Sequence, residues 1–139
     1  AYDPRKDFVP VAHVADAPSV LLVTNSLPVK TVGELIAYAK ANPGKLNYAT
    51  SGNGTIVHLN SAAFSAQAGI DMTHVPYKGT APAITDLIGG QTQAASAGTP
   101  PLMPHVKAGK LRVIAVGTTK RLPERDGERY RPTTRKFQP

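Results

Sequence analysis

The residues best suited to chemistry form a short run rich in glycine and hydroxyl side chains, Thr-Ser-Gly-Asn-Gly-Thr at positions 50–55. Glycine lets the backbone adopt positive φ and approach a ligand closely. A helix beginning at Thr55 would point free N–H groups and its positive dipole end at that ligand, and Ser51, Asn53 and Thr55 add side-chain donors. The run predicts a site for a carboxylate or phosphate. An ordinary tight turn with a helix cap would use the same residue types, so both interpretations stay open.

This run matches neither of the familiar nucleotide-binding motifs. A P-loop needs Lys followed by Ser or Thr after its glycines, and no such pair follows Gly54. The dinucleotide fingerprint needs a further glycine where this chain has Val57. We therefore expect no cofactor.

Two further turns follow predicted strands, at residues 77–79 and 96–99. Ligands of open α/β sheets bind beyond the carboxyl ends of the strands, so helix N-termini gathered there would favour an anion without formal charge. Lys78 could add a charge and Tyr77 a phenolic donor, although an ordinary solvated lysine is the commoner outcome at such a position. The candidate ligand-binding residues are Ser51, Gly52, Asn53, Gly54, Thr55, His58, Tyr77, Lys78, Gly79, Ser96, Ala97, Gly98 and Thr99.

Patterns typical of catalysis or metal binding are missing from the sequence. No serine lies in a Gly-x-Ser-x-Gly elbow, and the chain has no cysteine. His58 lies one turn into the helix after the glycine run, within reach of the same sheet edge. The histidines fit no metal-ligand spacing, and those other than His58 are expected on the surface or in the core: His13, His74 and His105. We expect neither enzyme activity nor a bound metal.

Residue periodicity assigns these candidates to alternating strands and helices. Thr31 and Glu34 form a capping box that starts a helix, which Asn42-Pro43-Gly44 ends. Thr80 is expected to cap a later helix. Strands are predicted at residues 11–15, 20–24, 46–50, 72–77, 91–97 and 111–116, and helices at residues 32–39, 55–68, 80–88 and 100–108. This order predicts an α/β fold with a single parallel or mixed open sheet flanked by helices.

Length and charge bound the remaining possibilities. A chain of 139 residues is room for one domain, at roughly 100–200 residues per domain. The net charge is +7, of which residues 1–120 carry +4 (ten Lys and Arg against six Asp and Glu) and residues 121–139 carry +3 (six against three). Because the lysines of the body are scattered, we expect no specific nucleic-acid partner. Residues 1–120 are predicted as the α/β domain, and residues 121–139 as a basic tail, extended or disordered.

Longer stretches of the sequence resemble one known family. They are YDPRKDFVPVAHVADAPSVLLV, SLPVKTVGELIAYAKANPGKLNYATSGNGT, HVPYKGTAPAITDLIGGQTQ and PHVKAGKLRVIAV. In this order they resemble the second lobe of the Bug family, the periplasmic substrate-binding proteins of tripartite tricarboxylate transporters, over about residues 2–121.

The resemblance implies a periplasmic-binding-protein-like lobe, one of two that close on a small carboxylate and deliver it to a membrane permease. It also implies that residues 51–55 and 96–99 face the cleft, with His58 and residues 77–79 nearby. The implied location is the periplasm. No signal peptide is present in this chain, so a stand-alone fragment is expected in the cytoplasm.

Two departures from the family pattern qualify these expectations. Ala97-Gly98 replaces an acidic residue followed by Asn in some relatives, which favours a ligand without an amine. Beyond residue 121 the chain keeps at most Leu122-Pro123-Glu124 of the family pattern, which suggests a truncated or frame-shifted gene or an artificial fragment.

A lone lobe is expected to bind weakly or not at all, and its uncovered apolar surface predicts a homodimer or an exchange of terminal segments. The alternative is an interaction or regulatory module that keeps the fold, oligomerises and has lost ligand binding.

Overall fold

The computed structural model describes Asp3, residues 6–13 and residues 18–117. The predicted tail at residues 121–139 lies outside the described residues, so the division of the chain after residue 120 stays a prediction. The strands are β1 (Ser19–Thr24), β2 (Leu46–Thr50), β3 (Met72–Pro76), β4 (Ala94–Gly98) and β5 (Leu111–Val116). The α-helices are α1 (Val32–Ala41), α2 (Ile56–Ala68), α3 (Thr80–Ile88) and α4 (Met103–Lys107), with a 3-10 turn at Pro100–Leu102 before α4.

The five strands form one open sheet in the order β3-β2-β4-β1-β5. Strand β2 pairs in parallel with β3 and β4, whereas β1 runs antiparallel to β4 and β5. The sheet is therefore mixed, and the predicted α/β class with a parallel or mixed sheet is confirmed. β1 lies inside the sheet with helices on both faces, which explains its unbroken Val-Leu-Leu-Val run; only Leu21 of this run is half-buried.

The crossover connections explain which helix lies on which face. From β2 to β3 the chain moves one strand outward, and from β3 to β4 it returns across β2. Right-handed crossovers, which nearly all proteins use, must then place α2 and α3 on opposite faces. In the structure α2 packs with α1 on one face through Phe64 and Ala68, and α3 and α4 pack on the other through Ile84 and Val106.

Each face of the sheet has its own apolar core. Leu22 and Leu87 are fully buried on the α3–α4 face, and Leu35 and Leu46 on the α1–α2 face. Full burial of such a side chain contributes roughly 1.5–3 kcal/mol. The two cores hold the strands in fixed positions, so the loops at the sheet edge extend from a rigid base.

Several predicted boundaries need correction. Residues 11–13 are not a strand: Val11 is 97% exposed, and residues 14 and 15 lie outside the described part of the chain. β4 begins at Ala94 rather than at residue 91. The Gln93 backbone still bonds Asn47 and Thr24 on either side, and its side chain bonds the amide of Asn47 and the carbonyl of Gly90. The helix predicted at residues 100–108 is a 3-10 turn followed by the five-residue α4.

The α1–α2 face is incompletely covered. A groove of about 420 Å³ lies beside α2, lined chiefly by apolar side chains that include Leu21, Val32, Tyr48 and Phe64. Of the helices in the described residues, none has the length and apolar character needed to cross a membrane.

Candidate functional site

The candidate residues gather at one edge of the sheet. β3, β2 and β4 are adjacent and parallel, so the loops that follow them leave from the same side. α2 begins after the loop that follows β2, α3 begins after the loop that follows β3, and the 3-10 turn follows β4. This is the edge at which open α/β sheets bind ligands.

The glycine loop between β2 and α2 has a backbone that only glycine adopts easily. Gly52 has φ of 138° and Gly54 has φ of 73°. The N–H of Gly52 donates to Thr50 Oγ1 at 3.3 Å. A Cβ on residue 52 would lie 3.6 Å from the carbonyl oxygen of Tyr77, so the loop runs close to the neighbouring turn. Asn53 is exposed at its tip.

Thr55 joins this loop to the helix. It is the N-cap of α2: its Oγ1 accepts the His58 N–H at 3.4 Å and donates to the Gly52 carbonyl at 2.8 Å. The first turn of α2 contains no acidic residue, so no carboxylate there offsets the positive end of the helix dipole. The helix predicted at residues 55–68 is thus found within one residue of its expected start, with Thr55 as the N-cap rather than the first helical residue.

His58 and His74 form a stacked pair beneath the glycine loop. Their ring centroids are 4.1 Å apart with an interplanar angle of 9°. His58 Nδ1 accepts the Gly54 N–H at 3.1 Å, while His74 Nε2 and Thr50 Oγ1 share a hydrogen bond of 2.6 Å. Burial lowers the pKa of His74, and the neighbouring His58 lowers it further. The pair supports the loop from below.

The Tyr77 side chain contacts α3 and does not extend into the open edge. Its hydroxyl donates to Asp86 Oδ2 at 2.7 Å, and its ring packs against the α3–α4 core. Burial, and next the bond and charge of Asp86, raise the pKa of this phenol to about 12. The hydroxyl expected as a ligand donor is thus occupied within the lobe.

The turn before α3 differs from its prediction. Gly79, at φ 111°, is the N-cap, and no side chain caps the helix. The expectation that Thr80 is the cap is wrong, because Thr80 is already the first helical residue. The first N–H groups of α3 consequently have no capping side chain. Lys78 is exposed beside them.

The turn after β4 leads into a 3-10 turn, where the sequence predicted the N-terminus of an α-helix. The hydroxyl of Thr99 donates to the Pro18 carbonyl at 2.9 Å, and Gly98 pairs with Ser19. These contacts fasten the end of β4 to the start of β1. Only a 3-10 turn follows, so this third N-terminus adds little dipole to the edge.

The structure brings part of the predicted set around one hollow of about 50 Å³. The members of the set that line it are Ser51 from the loop after β2 and Ser96, Ala97 and Gly98 from β4; Thr80 of α3, which was not predicted as a ligand-binding residue, lines it as well. The other nine predicted ligand-binding residues lie outside its lining: Gly52, Asn53, Gly54, Thr55, His58, Tyr77, Lys78, Gly79 and Thr99. The site is thus an open edge with one small recess.

Sequence reasoning missed the roles of His74 and Asp86. His74 could have been found from the parallel register, which places it opposite Tyr48 on the face that the β2-α2-β3 crossover covers. Asp86 lies nine residues after Tyr77, and no sequence spacing predicts their contact. Within the described residues no group of three or more His, Cys, Asp or Glu side chains could hold a metal ion.

Two solved structures are closely similar in fold. R. palustris Rpa4515 with adipate is 42% identical with a TM-score of 0.81, and the match covers 86% of this chain and 40% of that one. MatC from Rhodopseudomonas palustris with bound malate is 30% identical with a TM-score of 0.81, covering 87% of this chain and 41% of that one.

Curated relatives agree with these structures. BugT of Bordetella pertussis is 36% identical over 115 residues, which cover 83% of this chain and 35% of BugT. The chain thus spans a little over a third of that relative. These matches favour the receptor interpretation over the interaction module.

A family model described as the tripartite tricarboxylate transporter family receptor matches residues 1–125. Receptors of this kind bind solutes and are not enzymes. Because the match covers most of the sequence, the chain belongs to the tripartite tricarboxylate transporter receptor family.

Proposed function

We propose that this chain forms one side of a receptor site that captures a small carboxylate at the carboxyl edge of β2, β3 and β4. The observation that carries the proposal is the convergence of the loops after these three strands on one edge, where α2 and α3 begin. Backbone N–H groups and helix N-termini bind anions without needing a formal charge.

The composition of the edge supports an anion. Residues 51–70, which form the glycine loop, α2 and the turn after it, contain no Asp or Glu, so no carboxylate repels the ligand there. Ser51, Thr80 and Ser96 place hydroxyl side chains around the recess. Ala97 and Gly98 offer no acidic partner for an ammonium group. The expected ligand is therefore a carboxylate without an amine.

The relatives support the same ligand class. Adipate and malate, named in the two similar structures, are dicarboxylates without an amine. We propose a ligand of this class for the present chain, delivery of that ligand to a membrane permease, and action in the periplasm, where the similar BugD is described as a binding protein.

The 139-residue chain alone supplies only part of the contacts. Its match covers 40% of the adipate-bound relative, and the recess of about 50 Å³ is far below the roughly 300–1,000 Å³ of enclosed ligand sites. Water therefore competes for the ligand on the open side. We expect affinities near the millimolar range, about 4 kcal/mol.

Calorimetry with adipate, malate and the uncharged adipamide tests this proposal. Adipate or malate should bind weakly and adipamide should not. Ser51→Ala should weaken binding severalfold, whereas the control Ser65→Ala, whose hydroxyl bonds the Ser61 carbonyl within α2, should leave it unchanged. Equal binding of adipamide would contradict anion capture, and micromolar binding by a monomer would contradict the one-sided site.

We also propose that the isolated chain self-associates. Ile56 and Leu59, in the first turn of α2, are 67% and 55% exposed, and the groove beside α2 leaves further apolar surface uncovered. Contiguous apolar surface of this kind tends to become buried by association.

A further inference from the structure

The amide of Gly54 already has a partner inside the loop. Its N–H donates to His58 Nδ1 at 3.1 Å. An imidazole nitrogen accepts a hydrogen bond only while it carries no proton, so this contact requires His58 to be neutral with its proton on Nε2. The neutral ring thus occupies one of the N–H groups that an anion at the glycine loop would use.

The second ring restricts where a proton can go. His74 stacks on His58 at 4.1 Å between centroids, so charging both rings would place two positive charges face to face. His74 also bonds Thr50 Oγ1, which contacts the Gly52 backbone, and its pKa is lowered. Of the two rings, His58 is the one that accepts a loop N–H, so a proton on its Nδ1 would free that amide.

The surroundings of the pair contain little other charge. β2 contributes Tyr48, which stacks on His74 and whose pKa is raised by burial, so it stays neutral. No Asp, Glu, Lys or Arg occurs between residues 51 and 70. The next charged residues along the chain are Asp71, before β3, and Lys78, after it. Among the residues that the structure describes, no carboxylate forms an ion pair with His58, so a charge on this ring can be balanced by a bound anion.

We propose that the glycine loop takes up its carboxylate together with one proton on His58. Protonation of Nδ1 ends its bond to Gly54, frees that N–H, and places a positive charge within the first turn of α2. A single protonation thus gives the ligand two binding partners, a free amide N–H and a positive charge. The proposal rests on the proposed function and adds that capture is coupled to protons.

The sign of the pH dependence follows from this coupling. If the bound form carries one more proton than the free form, affinity falls as pH rises, by up to about tenfold per unit once His58 is neutral in the free chain. Between about pH 6 and pH 8 a dicarboxylate keeps its charge, since carboxyl groups titrate near 4. A change of affinity in this window therefore belongs to the protein.

The test is a titration of the whole 15N-labelled chain with adipate at about pH 6, 7 and 8, followed by NMR. We expect binding at the lowest pH to be at least about tenfold tighter than at the highest. His58→Gln, whose amide oxygen can still accept the Gly54 N–H but takes up no proton, should bind weakly at every pH. The control His105→Gln, on α4, should keep the pH dependence.

Each outcome has a distinct meaning. Binding that stays the same within about twofold from pH 6 to pH 8 overturns the proton coupling and leaves the proposed function standing. No binding at any pH overturns both. In the ligand-free chain the Gly54 amide shift should follow the titration of the His58 ring, and an amide that ignores that titration overturns the coupling whatever the ligand does.

Discussion

Gly52 and Gly33 show how the same residue type serves different purposes. Gly52 has φ of 138° and passes 3.6 Å, measured from a virtual Cβ, from the Tyr77 carbonyl. Gly33 lies inside α1 with ordinary helical φ, and a Cβ there would meet only Thr31 Oγ1 at 4.0 Å. The first glycine is required by the backbone, whereas the second only adds freedom to the unfolded chain.

Replacing each of these glycines by alanine should therefore shift stability in opposite directions. Gly52→Ala forces a side chain into a strained backbone and should lower the free energy of unfolding by about 1–2 kcal/mol. Gly33→Ala should raise it by about 0.5–1 kcal/mol. Urea unfolding of both variants checks the pair. Equal effects of the two substitutions would show that the loop backbone is not constrained as described.

His74 should make stability depend on pH. Burial, and then His58, lower its pKa in the folded chain below the ordinary value of 6.5. As pH falls below about 6.5 the unfolded chain binds more protons than the folded one. The contribution of neutral His74 is thus complete above that pH and is lost as pH falls toward the lowered folded value.

Urea unfolding from about pH 5 to pH 8 measures this dependence. The unmodified chain should lose stability toward the acidic end, and His74→Gln, which can still bond Thr50, should flatten that part of the curve. His105→Gln serves as the control and should keep the unmodified slope. A His74→Gln curve parallel to that of the unmodified chain would contradict the assignment.

Contacts between side chains on different elements are the part of the site that the sequence could not predict. The glycines of the loop indicated that its backbone adopts positive φ. The sequence could not predict that the Tyr77 hydroxyl reaches Asp86, because this contact depends on how α3 lies across the sheet. The stacking of His58 on His74 likewise depends on where α2 crosses β3.

Among the elements, the capping predictions succeeded where the signal was local. Thr31 Oγ1 accepts the Glu34 N–H at 3.2 Å, as predicted. A Glu34 carboxylate oxygen accepts the Lys30 N–H at 2.7 Å, one residue before the N–H that a capping box uses. At α3 the same reasoning failed because Gly79, which has no side chain to cap with, can adopt the φ of 111° that the turn requires. Hydrogen-bonding side chains alone therefore do not decide where a helix begins.

The N-caps of α1 and α2 should contribute similarly to the free energy of unfolding, but only the α2 cap should affect ligand binding. Thr31→Ala and Thr55→Ala each remove a side-chain acceptor from a helix N-terminus and should cost about 1 kcal/mol of unfolding free energy. Only Thr55 also bonds the Gly52 carbonyl, so only Thr55→Ala should weaken adipate binding. Unfolding and adipate titration of both variants test this. Equal loss of binding would assign the effect to stability alone.

Over the whole molecule, the order of elements predicted the fold class but not the path of β1. Strands alternating with helices indicate parallel pairing, and β2, β3 and β4 follow that rule. β1 runs antiparallel between β4 and β5, because strand direction depends on where the chain enters the sheet. The strand predicted at residues 11–15 begins with Val11, yet Val11 is 97% exposed.

Self-association is also a property of the whole molecule. We expect the chain to form dimers or larger species at concentrations near 1 mM, because Ile56 and Leu59 are exposed beside an open groove. Sedimentation should show this, and the double variant Ile56→Gln with Leu59→Gln should be more monomeric. Val11→Gln, which removes an even more exposed apolar side chain outside α2, is the control. A strict monomer at this concentration would contradict the expectation.

The most direct test of the central claim is to map adipate onto the 15N-labelled chain by amide chemical shifts, at about 10 mM ligand and pH 6. The carboxylate site at the edge of β2, β3 and β4 predicts that the largest shifts fall on Gly52, Gly54, His58 and Thr80, and that adipamide produces none of them. Shifts confined to Val32 and Phe64 in the α1–α2 groove, or no saturable shift anywhere, would contradict it.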